Sequence, residues 1–287
     1  MSLSGTIKHW VVNDYFTPNI KAEVILDTLL TPYISQILKN QLDIDAELLT
    51  KEMSIQDKNG SDNRGAKIDY VLEGKDTVYL VELKTTKGSI NADQAKRYTQ
   101  NCCDGGRAKT FGPVLGEKLL TILKSSFKKQ SLWTVETLQK TIRDNKCEDR
   151  ARCYLKRTGS ASTRKYLYTI GQILDHCADL GALWKKELRL IYLTPDGGNV
   201  FPNKPTKMNK QNQTEAEQEW KELMSGWGAL YRGPQSLQDP KGVNSSISLR
   251  EAVQKLQPEP GDEEFVALLQ SIVKSIYDTE EILPCQT

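Results

Sequence analysis

The chain has 287 residues, of which 38% are hydrophobic and 26% are charged, with a formal net charge of +2. This composition excludes a chain that is disordered along its length, and the small net charge does not by itself point to any class of partner. Because there is no apolar run of about 18 residues and no secretory-type N-terminus, we expect no membrane partner and a cytoplasmic location.

The first predicted element is a helix at about residues 19–39, where apolar residues recur at helical spacing. Pro32 is expected to interrupt this helix, because proline lacks a backbone N–H and its ring clashes with the preceding turn. Residues 48–55 predict a first strand, which is followed by the turn-rich sequence QDKNGSDNRG.

Two stronger strand predictions follow, at residues 66–72 (AKIDYVL) and 77–84 (TVYLVELK). The short turn EGKD between them indicates an antiparallel hairpin. Alternation of side chains places Glu82 and Lys84 on one face of the second strand and Leu83 on the other. Both faces are mostly apolar, so this strand is expected to be central in its sheet and covered on both sides.

The remaining elements are mostly helical. They are a helix at residues 91–102 that ends near Gly105, a helical insertion at about 113–185, a strand at 188–193, and helices at 215–230, 249–256 and 263–277. We therefore predict one elaborated α/β domain over residues 1–287, in which helices cover both faces of one small sheet.

Three charged residues in the predicted hairpin point to a specific chemistry. Asp69 lies within an apolar strand, and Glu82 and Lys84 lie at the end of a buried one, where unpaired charges are costly. Two carboxylates that approach each other repel unless a divalent cation lies between them, and Mg²⁺ prefers carboxylate oxygens and water. The backbone carbonyl of Leu83 is a candidate neutral ligand. Lys84 is placed to align a water molecule and to stabilise charge on a phosphate, which suits phosphodiester hydrolysis.

A purely structural interpretation of the same residues remains open. Glu82 and Lys84 would then form a same-face ion pair at a strand end, and Asp69 would cap a turn. The following helix carries Gln94 and Tyr98 on one face, four residues apart. Their amide and phenol groups can hydrogen-bond a phosphate or hold a catalytic side chain, although an ordinary polar helix surface has the same composition.

Taken together, these residues resemble the motifs of the PD-(D/E)XK nuclease superfamily, and Gln94 with Tyr98 resembles the QxxxY motif of its RecB-like branch. The matching residues are Ile68-Asp69, Glu82-Leu83-Lys84 and Gln94-x-x-x-Tyr98, with isoleucine where the family name has proline. The resemblance covers about residues 20–105 and 186–198. It implies a restriction-endonuclease-like αβββαβ core. We can place no counterpart in the family for the insertion at about 113–185, and the predicted C-terminal helices at about 213–280 follow this core.

The resemblance also implies roles for individual residues. Asp69 and Glu82 would bind Mg²⁺ or Mn²⁺, with Glu23 of the first helix as a further ligand, and Lys84 would act on the attacking water. Gln94 and Tyr98 would support this site or touch the substrate.

The insertion carries the strongest local charge. Nine basic and three acidic residues lie between Lys140 and Lys165, a balance of 9 − 3 = +6, which would attract a phosphate backbone or simply form a solvated helical face. We therefore expect a nuclease that acts on DNA, whose insertion clamps nucleic acid, binds a protein partner or forms a homodimer. The alternative is a non-catalytic module that keeps the nuclease fold to bind nucleic acid or a partner.

Overall fold

The computed structural model describes residue 8 and the ranges 22–55, 67–86, 92–116, 172–173, 176–177, 179–200, 213–235 and 245–282, with some side chains at element ends left out. The helices are α1 (Ala22–Leu30), α2 (Ile34–Leu42), α3 (Ala92–Cys102), α4 (Leu180–Lys185), α5 (Gln213–Leu230), α6 (Leu249–Gln254) and α7 (Glu263–Ile282). The strands are β1 (Ala46–Ser54), β2 (Lys67–Gly74), β3 (Thr77–Leu83), β4 (Cys103–Asp104), β5 (Arg107–Ala108), β6 (Glu187–Thr194) and β7 (Ile247–Ser248).

A five-stranded mixed sheet forms the centre of the described chain, in the order β1-β2-β3-β6-β7. The first three strands are antiparallel neighbours, whereas β3, β6 and β7 run parallel to one another. A parallel β3–β6 pair needs a long crossover, and the chain between these strands supplies α3 and the predicted insertion. The predicted mixed α/β sheet with helices on both sides is therefore confirmed.

The central strand, β3, is buried on both faces, as its apolar sequence predicts. On one side, which we call the α3 face, Leu80 packs in a cluster with residues of α3, α4 and α5. On the other side, which we call the α1 face, Val81 packs in a cluster with residues of α1, α2, α6 and α7. Each face is packed and buried, so a polar group on it is costly unless it finds a hydrogen-bond partner.

The predicted interruption at Pro32 is present. The residue lies in a short 3₁₀ turn, Thr31–Tyr33, which separates α1 from α2. Proline suits this position because the first N–H groups of a helical segment have no partner within it.

Two short features were not predicted. The chain turns at Gly105 and Gly106, both with positive φ, and pairs β4 with β5 instead of simply ending a helix. The last strand of the sheet, β7, has only two residues, which is too short to produce a periodic pattern.

Residues 117–171 of the predicted insertion lie outside the described chain. A π-helical turn (Gly112–Gly116) lies at the start of the insertion, and α4 lies at its end. Among the described helices, none combines the length and apolar character that crossing a bilayer requires.

Candidate catalytic site on the α3 face

The predicted hairpin brings Asp69 and Glu82 to the same level of the sheet. The β2–β3 ladder ends with the pair Tyr70–Val81, and Asp69 and Glu82 occupy the next position on their strands. Both carboxylates therefore lie at the same end of the hairpin, just beyond the last ladder pair.

A backbone irregularity lies at the same point. Ile68 belongs to the cluster of the α3 face and Tyr70 to that of the α1 face, although residues two apart in a regular strand share a face. The β1–β2 ladder places Glu52 opposite Asp69, and Glu52 has a φ of 54°. This left-handed conformation is uncommon for a residue other than glycine. The alternation of side chains between the two faces of β2 thus changes at Asp69. Local distortions of this kind change the direction of a side chain and are often found next to functional sites.

The Asp69 carboxylate is held at the end of β3. Its Oδ2 accepts a hydrogen bond of 2.7 Å from the backbone N–H of Leu83. Because the N–H and C=O of one strand residue point toward the same neighbour in an antiparallel ladder, the Leu83 carbonyl also lies on the β2 side. The Leu83 side chain is buried in the cluster of the α1 face. The carbonyl predicted as a neutral ligand is therefore on the same side as Asp69.

Glu82 is the most deeply buried carboxylate of the site, with only 2% of its surface exposed. Its Oε1 pairs with Nζ of Lys84 at 2.6 Å, and Lys84 is itself 6% exposed. The two side chains project from the same face of the strand, as the i, i+2 spacing predicts.

The helix that follows the hairpin supplies two more partners. The side-chain amide of Gln94 donates to Glu82 Oε1 at 2.6 Å and lies 2.7 Å from the hydroxyl of Tyr98. That hydroxyl lies 2.7 Å from Glu82 Oε2 and 2.7 Å from the backbone carbonyl of Lys67. The structure thus brings both helix residues to the strand ends, because their spacing places them on the one face of α3 that packs on the sheet.

Burial dominates the electrostatics of this group. It raises the pKa of Glu82 above its ordinary value, against the opposing effects of Lys84, Tyr98 and Gln94. It also raises the pKa of Tyr98, with the Glu82 carboxylate as the next cause. The Tyr98 hydroxyl has one proton and two acceptors within bonding distance, so a proton on Glu82 Oε2 would satisfy every contact at once. Glu82 is therefore a carboxyl whose charge the protein alone stabilises incompletely.

The oxygen atoms at this end of the sheet fit a hard divalent cation. Two carboxylates and a backbone carbonyl are ligands that Mg²⁺ or Mn²⁺ accepts, and Mg²⁺ usually takes only one or two carboxylates from a protein. Within the described residues, no three His, Cys, Asp or Glu side chains assemble into a metal-binding group. The predicted further ligand, Glu23, belongs to the first turn of α1, but its side chain lies outside the described part of the chain.

One neighbour of the site was missed by the sequence interpretation. In the parallel β3–β6 ladder Tyr192 is the partner of Glu82, and it belongs to the cluster of the α3 face. Burial, and then the nearby Glu82, raises its pKa well above the ordinary value. The strand of Tyr192 was predicted, but its position beside Glu82 follows only from the strand order.

The basic run at residues 140–165 lies outside the described residues, so its position relative to this site stays a prediction. No family model, curated protein or solved structure matches the chain.

Proposed function

We propose that the chain is a metal-dependent phosphodiester hydrolase that acts on DNA. The observation that carries the proposal is the convergence of Lys84, Gln94 and Tyr98 on the buried Glu82 carboxylate, with Asp69 at the same end of the hairpin. Two strands and a helix contribute to this group. Burying several charged and polar side chains together often lowers stability, so a group of this kind calls for a functional explanation. Ionisable groups with perturbed pKa values concentrate at functional sites.

The arrangement of elements supports membership of the PD-(D/E)XK superfamily in its RecB-like branch. The proposed restriction-endonuclease-like core needs a helix, three antiparallel strands, a second helix and a parallel fourth strand. The elements α1–α2, β1–β2–β3, α3 and β6 follow this order, and β6 is parallel to β3. The proposal assigns the remaining helices and the insertion to elaborations of that core.

In this proposal Asp69, Glu82 and the Leu83 carbonyl would hold Mg²⁺ or Mn²⁺, with Glu23 as a further ligand. A bound cation polarises a phosphoryl oxygen and lowers the pKa of a coordinated water molecule. The ammonium group of Lys84 aligns the attacking water and neutralises charge that develops on the phosphate.

Gln94 and Tyr98 act on the carboxylate of the site. They fix both oxygens of Glu82 from α3, so the carboxylate is oriented before any substrate arrives. The packed α3 face excludes bulk water from behind the site, which strengthens each of these electrostatic contacts.

The proposed substrate is DNA because of the basic run at residues 140–165. Contacts from lysine and arginine to phosphates give affinity without reading the sequence. The insertion that carries this run is also the proposed surface for a homodimer or a protein partner.

A second candidate function is a non-catalytic module that uses the same fold to bind nucleic acid or a protein. The observation that favours it is the 2.6 Å pairing of Glu82 with Lys84, since both charges already have a partner within the protein. In that case the insertion would be the functional surface, and binding would not depend on a cation.

The decisive experiment incubates the protein with linear, circular and single-stranded DNA, and with RNA, in Mg²⁺, Mn²⁺ or EDTA. We expect cutting that depends on the cation and falls by about 10³-fold in Lys84→Ala, because a preorganised charge at the reacting phosphate is lost. Cutting of circles indicates an endonuclease, and cutting of linear DNA alone indicates an exonuclease.

The matched control is Lys186→Ala. This lysine is also largely buried and also pairs with a glutamate, Glu73, at 2.6 Å, but it lies at the opposite end of β6 from the site. It should leave cutting per folded molecule unchanged. Binding of DNA by the wild type without cutting of any DNA or RNA would reject the hydrolase and favour the binding module.

A further inference from the structure

Tyr192 has a buried hydroxyl group that none of its described neighbours satisfies. The residue is 1% exposed, and its hydroxyl oxygen has no hydrogen-bond partner among the described residues. A buried polar group left unpaired is unfavourable and is uncommon in folded proteins. The hydroxyl therefore needs an explanation other than its own contribution to packing.

The aromatic ring of Tyr192 is explained by its surroundings. Its centroid lies 6.2 Å from that of Trp227 and 6.0 Å from that of Tyr231, and these two rings stack on each other at 4.5 Å. The hydroxyl of Tyr231 donates to the carbonyl of Ser245 at 2.9 Å, so this second phenol is satisfied. A phenylalanine at position 192 would pack against the same rings without burying an oxygen, which leaves the hydroxyl as the feature to account for.

The location of the hydroxyl points to Glu82. Tyr192 and Glu82 are register partners on adjacent strands, about 4.8 Å apart, and their side chains project from the same face. The charge of Glu82 is the leading electrostatic influence on the Tyr192 phenol, and Asp69 also contributes. The phenol of Tyr192 therefore lies near enough to the two carboxylates of the proposed cation site for their charges to act on it.

Glu82 has room for one more donor. Its Oε1 accepts from Lys84 and Gln94, whereas its Oε2 accepts from Tyr98. An ionised carboxylate offers about four acceptor positions. In the proposed function Lys84 turns from Glu82 to the attacking water, so its position on Oε1 and the open position on Oε2 would serve the cation and one more donor. A buried donor and a buried acceptor thus belong to register partners on neighbouring strands.

We propose that Tyr192 is a positioning residue whose hydroxyl donates a hydrogen bond to Glu82, directly or through one water molecule, in the cation-bound protein. This inference rests on the proposed function. Tyr98 on α3 and Tyr192 on β6 would then hold the carboxylate from two elements, so that it cannot swing away from Asp69. A single bridging water is the usual solution where two buried polar groups are too far apart to bond directly.

The test compares Tyr192→Phe with wild type by calorimetric titration with Mg²⁺ and Mn²⁺, by urea unfolding in EDTA and by cutting of DNA. Loss of one hydrogen bond to a charged ligand should weaken cation binding by about tenfold. The maximal cutting rate should fall, while DNA affinity measured in EDTA stays the same. The urea midpoint in EDTA should stay the same or rise, because an unsatisfied hydroxyl has been removed.

Two further variants calibrate these results. Tyr98→Phe removes a hydroxyl that contacts Glu82 and should weaken cation binding as well as lower the urea midpoint. Tyr231→Phe removes a satisfied hydroxyl of the same aromatic group and should lower the urea midpoint without changing cation binding.

Three other outcomes would count against this inference or against both proposals. Unchanged cation binding in Tyr192→Phe, with a wild type that binds cations and cuts DNA, would overturn this inference and leave the proposed function intact. A lower urea midpoint for Tyr192→Phe in EDTA would make the hydroxyl structural and overturn it too. A wild type that binds neither cation would remove both proposals together.

Discussion

The sheet carries a lysine–carboxylate pair on each of its faces, and the two pairs differ in burial and in what they connect. On the α3 face, Lys84 and Glu82 are neighbours on one strand and retain 8% and 2% of their side-chain surface. On the α1 face, Lys51 of β1 reaches Asp27 of α1, and these side chains retain 25% and 16%. Both pairs lie beside a buried tyrosine, yet only the second joins two elements of the fold.

The pair on the α1 face has a structural explanation. The ammonium group of Lys51 also donates to the hydroxyl of Thr31 at 2.7 Å and lies 5.4 Å from the ring centroid of Tyr70. These contacts fasten α1 to the sheet, and the charges keep some access to solvent, which limits the desolvation penalty.

The pair on the α3 face lacks this explanation. Lys84 and Glu82 are two residues apart on the same strand, so their ion pair fastens no helix to the sheet. Both charges are removed from water, and in such pairs the desolvation penalty often exceeds the Coulombic gain. Stability therefore explains the pair on the α1 face, whereas the pair on the α3 face is explained only by the proposed function, and the two explanations can be tested separately.

The largest expected effect comes from removing both charges of the α3-face pair. The double variant Glu82→Gln, Lys84→Met keeps similar side-chain volumes and should abolish cutting, with a loss of at least about 10³-fold. The free energy of unfolding in EDTA should rise by about 1 to 3 kcal/mol, since replacing a buried ion pair with neutral groups is often stabilising. Urea denaturation and a cutting assay on the same preparation measure both quantities. A clear fall in stability would make this pair structural, like that of the α1 face.

The opposite pattern is expected for Lys51→Met. This substitution leaves the Asp27 carboxylate without its lysine, so the free energy of unfolding should fall by about 2 kcal/mol. The fall should be smaller than for a fully buried pair because both side chains are partly exposed. Cutting per folded molecule should stay the same. Lys39→Met is the matched control, because Lys39 pairs with Asp43 and Asp45 on the surface, and its urea midpoint should not change measurably. Loss of cutting by folded Lys51→Met would show that the α1 face also takes part in the chemistry.

Much of the site follows from local sequence. The hairpin turn between β2 and β3 is short, so it fixes the register that brings Asp69 and Glu82 to the same end of the hairpin. The spacing of Gln94 and Tyr98 places them on one face of α3, and the apolar character of β3 predicts a central strand. These features depend on residues close together in the chain, where periodicity and turn length carry the information.

The features that were missed depend on distant parts of the chain. Tyr192 lies beside Glu82 only because β6 inserts between β3 and β7, and strand order is not encoded in the periodicity of any one segment. The change of face at Asp69 depends on the left-handed backbone of Glu52 in another strand, and glutamate gives no signal for this conformation. The two-residue β7 is likewise defined only by its partner, β6.

The smallest expected effect is a difference in how stability depends on pH, measured in EDTA. The pKa of Glu82 is raised in the folded protein above its ordinary value of 4.5, chiefly by burial. As the pH rises past that value, the unfolded chain loses the Glu82 proton while the folded chain retains it, so unfolding releases a proton and stability falls until the raised pKa is passed. The variant Glu82→Gln has no such proton. The difference between its free energy of unfolding and that of wild type should therefore shift in favour of the variant as the pH rises above 4.5, and should level off once the raised pKa is passed. Urea denaturation at intervals between pH 4 and pH 8 measures this difference directly. A constant difference across that range would mean that Lys84 and the donors of α3 fully compensate for burial, and it would remove the electrostatic contrast between the two faces.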